Sequence, residues 1–146
     1  MIGTLILTHG GVARELLAAA HVIVGPMPSF EALSLEWGDC FEDAQGKIRE
    51  ALDRLDQGQG VLVLTDMFGG TPCNLAVKFQ RSGRVEVIGG VNLPMVLRLA
   101  GLHDNGMSLA EVARWLQVKG QRSICLASDV LESPPEPGGD GQGPGG

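Results

Sequence analysis

The sequence has no apolar stretch approaching the roughly 20 residues that cross a bilayer, and no basic region precedes its first apolar run. Those absences point to a cytoplasmic chain without membrane insertion. An excess of positive charge is missing too. The 11 Lys and Arg stand against 17 Asp and Glu, a formal charge of −6, which excludes a general surface for the nucleic-acid backbone. Cysteine is sparse. Cys40, Cys73 and Cys125 make neither an even set nor a CxxC pair, so they read as free thiols rather than a disulfide frame or a zinc site. Neither G-x-G-x-x-G nor G-x-x-x-x-G-K-[ST] follows the first apolar run, which leaves a nucleotide or flavin module without its phosphate loop. There is no internal repeat.

What is present is enough for one domain. A chain of 146 residues, 44% of them hydrophobic, buries roughly two-thirds of its unfolded surface. Short apolar runs alternate with stretches of helical period, the pattern of βαβ units around a mostly parallel sheet covered on both faces. Ile2 to Thr8 reads as a buried strand ending at His9-Gly10-Gly11. Val12, Leu16, Ala19, Ala20 and Ile23 recur at helical steps up to Gly25-Pro26. Phe30 to Trp37 gives a second strand with imperfect alternation. Asp39 is a candidate cap for a helix whose apolar stripe runs Phe41, Ala44, Ile48, Ala51, Leu52 and Leu55. Val61 to Leu64 is unbroken apolar, as in a central parallel strand. Thr71 is expected as the N-cap and Pro72 as the first residue of a helix reaching about Arg81. Val85 to Ile88 is a further strand, Pro94 to Leu102 a short helix, and Ser108 to Val118 a helix with a Ser108/Glu111 capping box. Arg122 to Ala127 is the last strand candidate. From 132 to 146 the chain is nearly all Pro, Gly, Gln and acid, the composition of a disordered tail behind a domain spanning 1–131.

Open parallel sheets bind their ligands outside the carboxyl ends of the strands. His9 ends the first strand and Asp66 follows the strand at 61–65. Were the two strands neighbours, the carboxylate would fix the imidazole tautomer and support the cation the ring becomes when it attacks. Gly69-Gly70 and the helix start at Thr71 would offer backbone N–H groups to an anion such as phosphate, with no metal or cofactor needed. Each element has an ordinary reading as well: a satisfied histidine, a turn aspartate, a common way to begin a helix. Their joint placement at strand ends favours chemistry. His21 and His103 read as packing or solvated residues, Met67-Phe68 as an apolar wall or a docking surface, and Cys73 as a packed thiol.

Three blocks, Leu7-Thr8-His9-Gly10, Gly60 through Asn74, and Gly90-Val91-Asn92-Leu93-Pro94-Met95, resemble in order and spacing those of the mannose-family enzyme IIA domains of the phosphoenolpyruvate-dependent sugar phosphotransferase system. The similarity runs from Met1 to about Leu126. It implies a phosphotransferase that takes phosphate onto His9 from the histidine-containing phosphocarrier protein and passes it to a histidine of enzyme IIB. It implies that Asp66 orients the imidazole and that the Thr71 hydroxyl, where the family often has Ser, meets the phosphoryl oxygens. It also implies a homodimer exchanging an antiparallel C-terminal strand, here Arg122 to Ala127. Phe68 stands where some relatives have Trp. Several relatives carry IIB behind a Pro- and Ala-rich linker, so the IIB partner is expected on a separate chain. A phosphorylation-dependent regulator without a transport role, and the dihydroxyacetone kinase phosphotransfer domain, are the alternatives. A receiver domain with Asp66 as acceptor would need an acidic magnesium cluster after the first strand, where this chain has Thr8-His9-Gly10.

Overall fold

Hydrophobic sequence and burial agree most closely at the centre of the sheet. In a computed structural model of the chain, which describes residues 1–36, 38–102 and 106–131, β1 (Gly3–His9) and β3 (Val61–Thr65) are adjacent, and the apolar side chains of both are buried. β2 (Phe30–Leu35) flanks β1, and β4 (Val85–Gly89) flanks β3. The order is β2-β1-β3-β4 and every pairing is parallel. The edge strands are only half-buried, which is why β2 alternates imperfectly while β3 carries no polar residue before Thr65.

Alternate residues of the central strands feed two cores, as the pleat dictates. Leu5, Leu7, Val61 and Val63 pack on α2 (Phe41–Leu55) through Ile48, Ala51, Leu52 and Leu55, joined by Leu75 of α3 (Thr71–Ala76). Ile6, Leu62 and Leu64 face α1 (Val12–Val24), α4 (Leu93–Ala100) and α5 (Leu109–Arg122), with Ala13, Ala20, Val96, Leu99, Val112 and Leu116 in the layer. The result is a three-layer α/β sandwich. Asn92, from the third sequence block, joins two of its helices: its carbonyl oxygen accepts from Met95 N at 3.0 Å, and its amide donates to Gly120 O and to Ser123 Oγ at the end of α5. The Ser108/Glu111 capping box forms as expected.

Four details differ from the sequence reading. Cys40, not Asp39, holds the N-cap position of α2; the Asp39 carboxylate instead accepts from Glu36 N in the turn before it. Gly70, not Thr71, is the N-cap of α3, so Thr71 is the first helical residue. That helix tightens into a 3-10 turn at Val77–Phe79, short of Arg81. Arg122 to Ala127 forms no strand in the single chain: α5 runs through Arg122 and a short α6 begins at Ala127. A strand without a ladder partner has nothing to satisfy its amides, and neither sheet edge of this chain is extended by that segment. The tail, His103 and the Trp37 end of the second strand lie outside the described residues.

The turn from α2 into β3 is organised by Asp56. Its Oδ1 accepts from Gly58 N at 2.8 Å and Gly60 N at 3.2 Å, and its Oδ2 pairs with Arg84 at 2.9 Å. The Gly58 amide is the main cause holding this carboxyl below its ordinary value; burial opposes it, and the Gly60 amide and the Arg84 charge add to it. A carboxyl depressed in the folded state stabilises the protein above its unfolded pKa and loses that contribution as pH falls through the folded one. Asp56→Ala is therefore expected to lose about 1–2 kcal/mol at neutral pH. Urea melts of both proteins should converge as pH drops below about 4.

Candidate functional site

The carboxyl ends of β1 and β3 open onto one crevice because the two strands are paired in register, Leu7 opposite Thr65. Each chain leaves its strand one or two residues later, so His9 and Asp66 emerge side by side. His9 Nδ1 lies 2.8 Å from Asp66 Oδ2. The backbone N–H of His9 donates to the same oxygen at 3.2 Å, and Met67 N donates to Oδ1 at 3.2 Å. Partial burial pushes the Asp66 carboxyl up. The hydrogen bonds from the His9 ring and amide, with the ring's charge, outweigh that push and hold it below the ordinary carboxylate value. An ionised carboxylate can only accept, so Nδ1 is the nitrogen that donates to it, and in the neutral imidazole the lone pair then sits on Nε2.

The Cε1–Nε2 edge of the ring faces Gly70. A Cβ built there would sit 2.8 Å from His9 Cε1 and 3.4 Å from Nε2, with Met67 Cγ at 3.1 Å. No other residue leaves the ring this room, so the second glycine of the pair is a steric requirement of the histidine. Gly69 precedes it at φ +91°, in the left-handed region. The pair is braced from behind by Asn74, whose amide donates to Gly69 O at 3.2 Å and whose backbone N donates to Gly70 O at 2.8 Å. Thr71 follows at the exposed start of α3. The structure thus brings His9, Asp66 and Gly70 together and sets Gly69 on the turn and Thr71 at the helix start that follow Asp66.

Two supporting residues escaped the sequence reading. Thr8 Oγ1 accepts from Ala13 N at 2.7 Å and donates to His9 O at 3.1 Å, tying the first turn of α1 to the strand end that carries the imidazole. A Thr before a His-Gly turn was the available signal. Asn74 lay inside the second block, but its role depends on a bend that no periodicity reveals. Of the other candidates, His21 is exposed in the last turn of α1, and Cys73 is buried in α3. Met67 and Phe68 are 53% and 76% exposed. Met67 Cγ nevertheless borders the same space at Gly70 as the His9 ring, and Phe68 lies against Gly89 of β4. Among the described residues, no helix is long and apolar enough to cross a membrane.

Comparisons with known proteins agree with this architecture. The family described as PTS system fructose IIA component (EIIA-man) matches residues 3–116. The chain is 31% identical over 133 residues to the PTS system fructose-specific EIIA component of Bacillus subtilis (strain 168), covering 90% of each. It is 30% identical over 139 residues to the PTS system mannose-specific EIIAB component of Escherichia coli (strain K12), covering 93% of this chain and 43% of that protein. Among solved structures, the PTS IIA protein associated with the fucose utilization operon from Streptococcus pneumoniae superposes with a TM-score of 0.76 at 28% identity, over 89% of this chain and 96% of that one. The chain accordingly belongs to the EIIA-man family of PTS IIA components, the phosphotransferases that carry phosphoryl groups in sugar uptake.

Proposed function

We propose that this chain accepts a phosphoryl group on His9 Nε2 from the histidine-containing phosphocarrier protein and passes it to a histidine of an enzyme IIB. The observation that carries this reading is the 2.8 Å contact of Nδ1 with Asp66, which in the neutral ring leaves Nε2 as the nitrogen with a lone pair. In the transfer, the donor N–P bond breaks with its electron pair remaining on the donor nitrogen, and the Nε2 lone pair forms the new bond. The Nδ1 proton stays on the ring, where Asp66 offsets the positive charge that grows there. Gly69, Gly70 and the Thr71 hydroxyl line the side from which phosphoryl oxygens would be held by backbone N–H and hydroxyl donors. Met67 and Phe68 supply the apolar surface a partner protein would cover. The chain works as a homodimer in this reading. Ile124, 81% exposed, lines a groove between β4 and α5 together with Gly89, Ala113 and Gln117, where a segment exchanged from a second copy would be buried.

Mixing the chain with phosphoenolpyruvate, enzyme I and the phosphocarrier protein tests the proposal. One acid-labile, alkali-stable phosphate per chain is expected, and adding a IIB should discharge it. A chain that takes up no phosphate would overturn the reading. The crowding at Gly70 gives a sharper test. Gly70→Ala should rotate the His9 ring off Asp66, and a misplacement of about 1 Å is expected to slow transfer by ~10- to 100-fold. Circular dichroism should report an unchanged fold, because residue 70 is only partly buried.

A further inference from the structure

The first turn of α1 carries a charge that local electrostatics disfavour. Exposed amides make a helix N-terminus positive, so acids belong there and cations do not. Arg14 is nevertheless the third residue of α1. A surface arginine so placed gains by pairing with a carboxylate or an aromatic ring, as Arg54 does with Glu31, Arg84 with Asp56 and Arg49 with Phe79. Among the described residues, Arg14 makes no hydrogen bond, ion pair or ring contact. Its side chain leans back over the turn that precedes the helix, the direction helical side chains favour. A Cβ built on Gly11 would lie 3.0 Å from Arg14 Nη2. Glycine at that position therefore leaves the guanidinium its place against the backbone, with only Gly10 between Gly11 and His9.

The charge balance of the crevice supplies the other half of the argument, which rests on His9 being the phosphoryl acceptor. Asp66 is held ionised against one ring nitrogen. A phosphoryl group at the other brings a further charge of roughly −2. The glycine loop can answer with dipoles only, while Arg14 places a full positive charge on the turn that bears the ring. We propose that Arg14 is an electrostatic contact for the phosphoryl group as it passes between the carrier and His9, drawing its oxygens when the charge they carry is greatest. It gives up no proton, and the bonds made and broken are those already described.

Rapid-quench phosphorylation by the phosphorylated carrier, run on wild type, Arg14→Gln and Arg14→Lys, tests this. Arg14→Gln should lower kcat about tenfold with KM within about twofold of wild type, the signature of an interaction made in the transition state. Arg14→Lys keeps the charge and should recover most of the rate. The Tm of Arg14→Gln should equal or exceed that of wild type, since a cation has left the positive end of a helix. Three results would overturn the proposal: an unchanged kcat in Arg14→Gln, a loss confined to KM, or an Arg14→Lys variant as slow as Arg14→Gln. A wild-type chain that takes up no phosphate would instead remove the reading of His9 on which the proposal stands.

Discussion

His9→Ala is expected to take up no phosphate from the phosphorylated carrier, while His21→Ala and His103→Ala label as the wild type does. The loss should be complete because no second nucleophile is in place. Cys73, in the helix that follows the glycine pair, is buried, and the Asp66 carboxylate keeps its two backbone amide donors in the variant. A phosphate carried by Asp66 would be an acyl phosphate, hydrolysed in alkali where a phosphohistidine survives, so the chemistry of any residual label identifies its attachment. Stability should scarcely change, because the ring is 48% exposed and its removal opens no cavity in either core. Mass spectrometry of the labelled chains and thermal melts check both halves. Persistent acid-labile phosphate on the alanine variant would move the acceptor elsewhere.

The second large effect is expected for Asp66→Asn. The aspartate accepts a hydrogen bond from Nδ1, so in this reading it both selects the reactive tautomer and balances the ring's charge when the N–P bond forms. Asparagine keeps the shape and loses the charge. It can also turn its amide toward the ring, which then accepts at Nδ1, carries its proton on Nε2 and has no lone pair to offer. Transfer should slow by roughly two to four orders of magnitude, the range associated with losing an orienting or acid–base partner. The fold should survive, since the carboxylate is 21% exposed at the mouth of the crevice. The same group predicts the acid limb in the wild type. Its folded pKa is lowered, so the carboxylate that accepts from Nδ1 is intact at neutral pH and is lost as pH falls through that lowered value. Rapid-quench rates with parallel melts distinguish the cases: equal rates would reduce Asp66 to a turn residue.

How much of this could be read without coordinates follows from the range of the forces involved. Hydrophobic period is local, so β1, β3, α1 and α2 were legible from Ile2–Thr8, Val61–Leu64, the Val12–Ile23 steps and the Phe41–Leu55 stripe, and the side-by-side α/β layers followed from their alternation. The strand-end rule then brought His9, Asp66 and the Gly69-Gly70 turn under consideration together, because in a parallel sheet every carboxyl end faces the same way. Capping is also local, yet it was only half legible. Ser108 capped α5 as its spacing required, whereas Asp39 was drawn into a turn with Glu36, a competition between two nearby amides that composition does not decide.

Tertiary structure decided the rest. That β1 and β3 are neighbours, and hence that Nδ1 meets Oδ2 rather than water, depends on the order β2-β1-β3-β4. That Gly70 must be glycine depends on a ring 61 residues earlier in the chain, and that Thr8 holds α1 depends on the angle at which the helix leaves the strand. The fate of Arg122 to Ala127 is the plainest case. Its residues suit a strand, but a strand is a property of a pair, and in one chain the segment finds no partner. Sequence determined the elements and the chemistry at their ends because those depend on near neighbours. Which groups touch was settled only when the sheet brought distant residues within hydrogen-bonding distance.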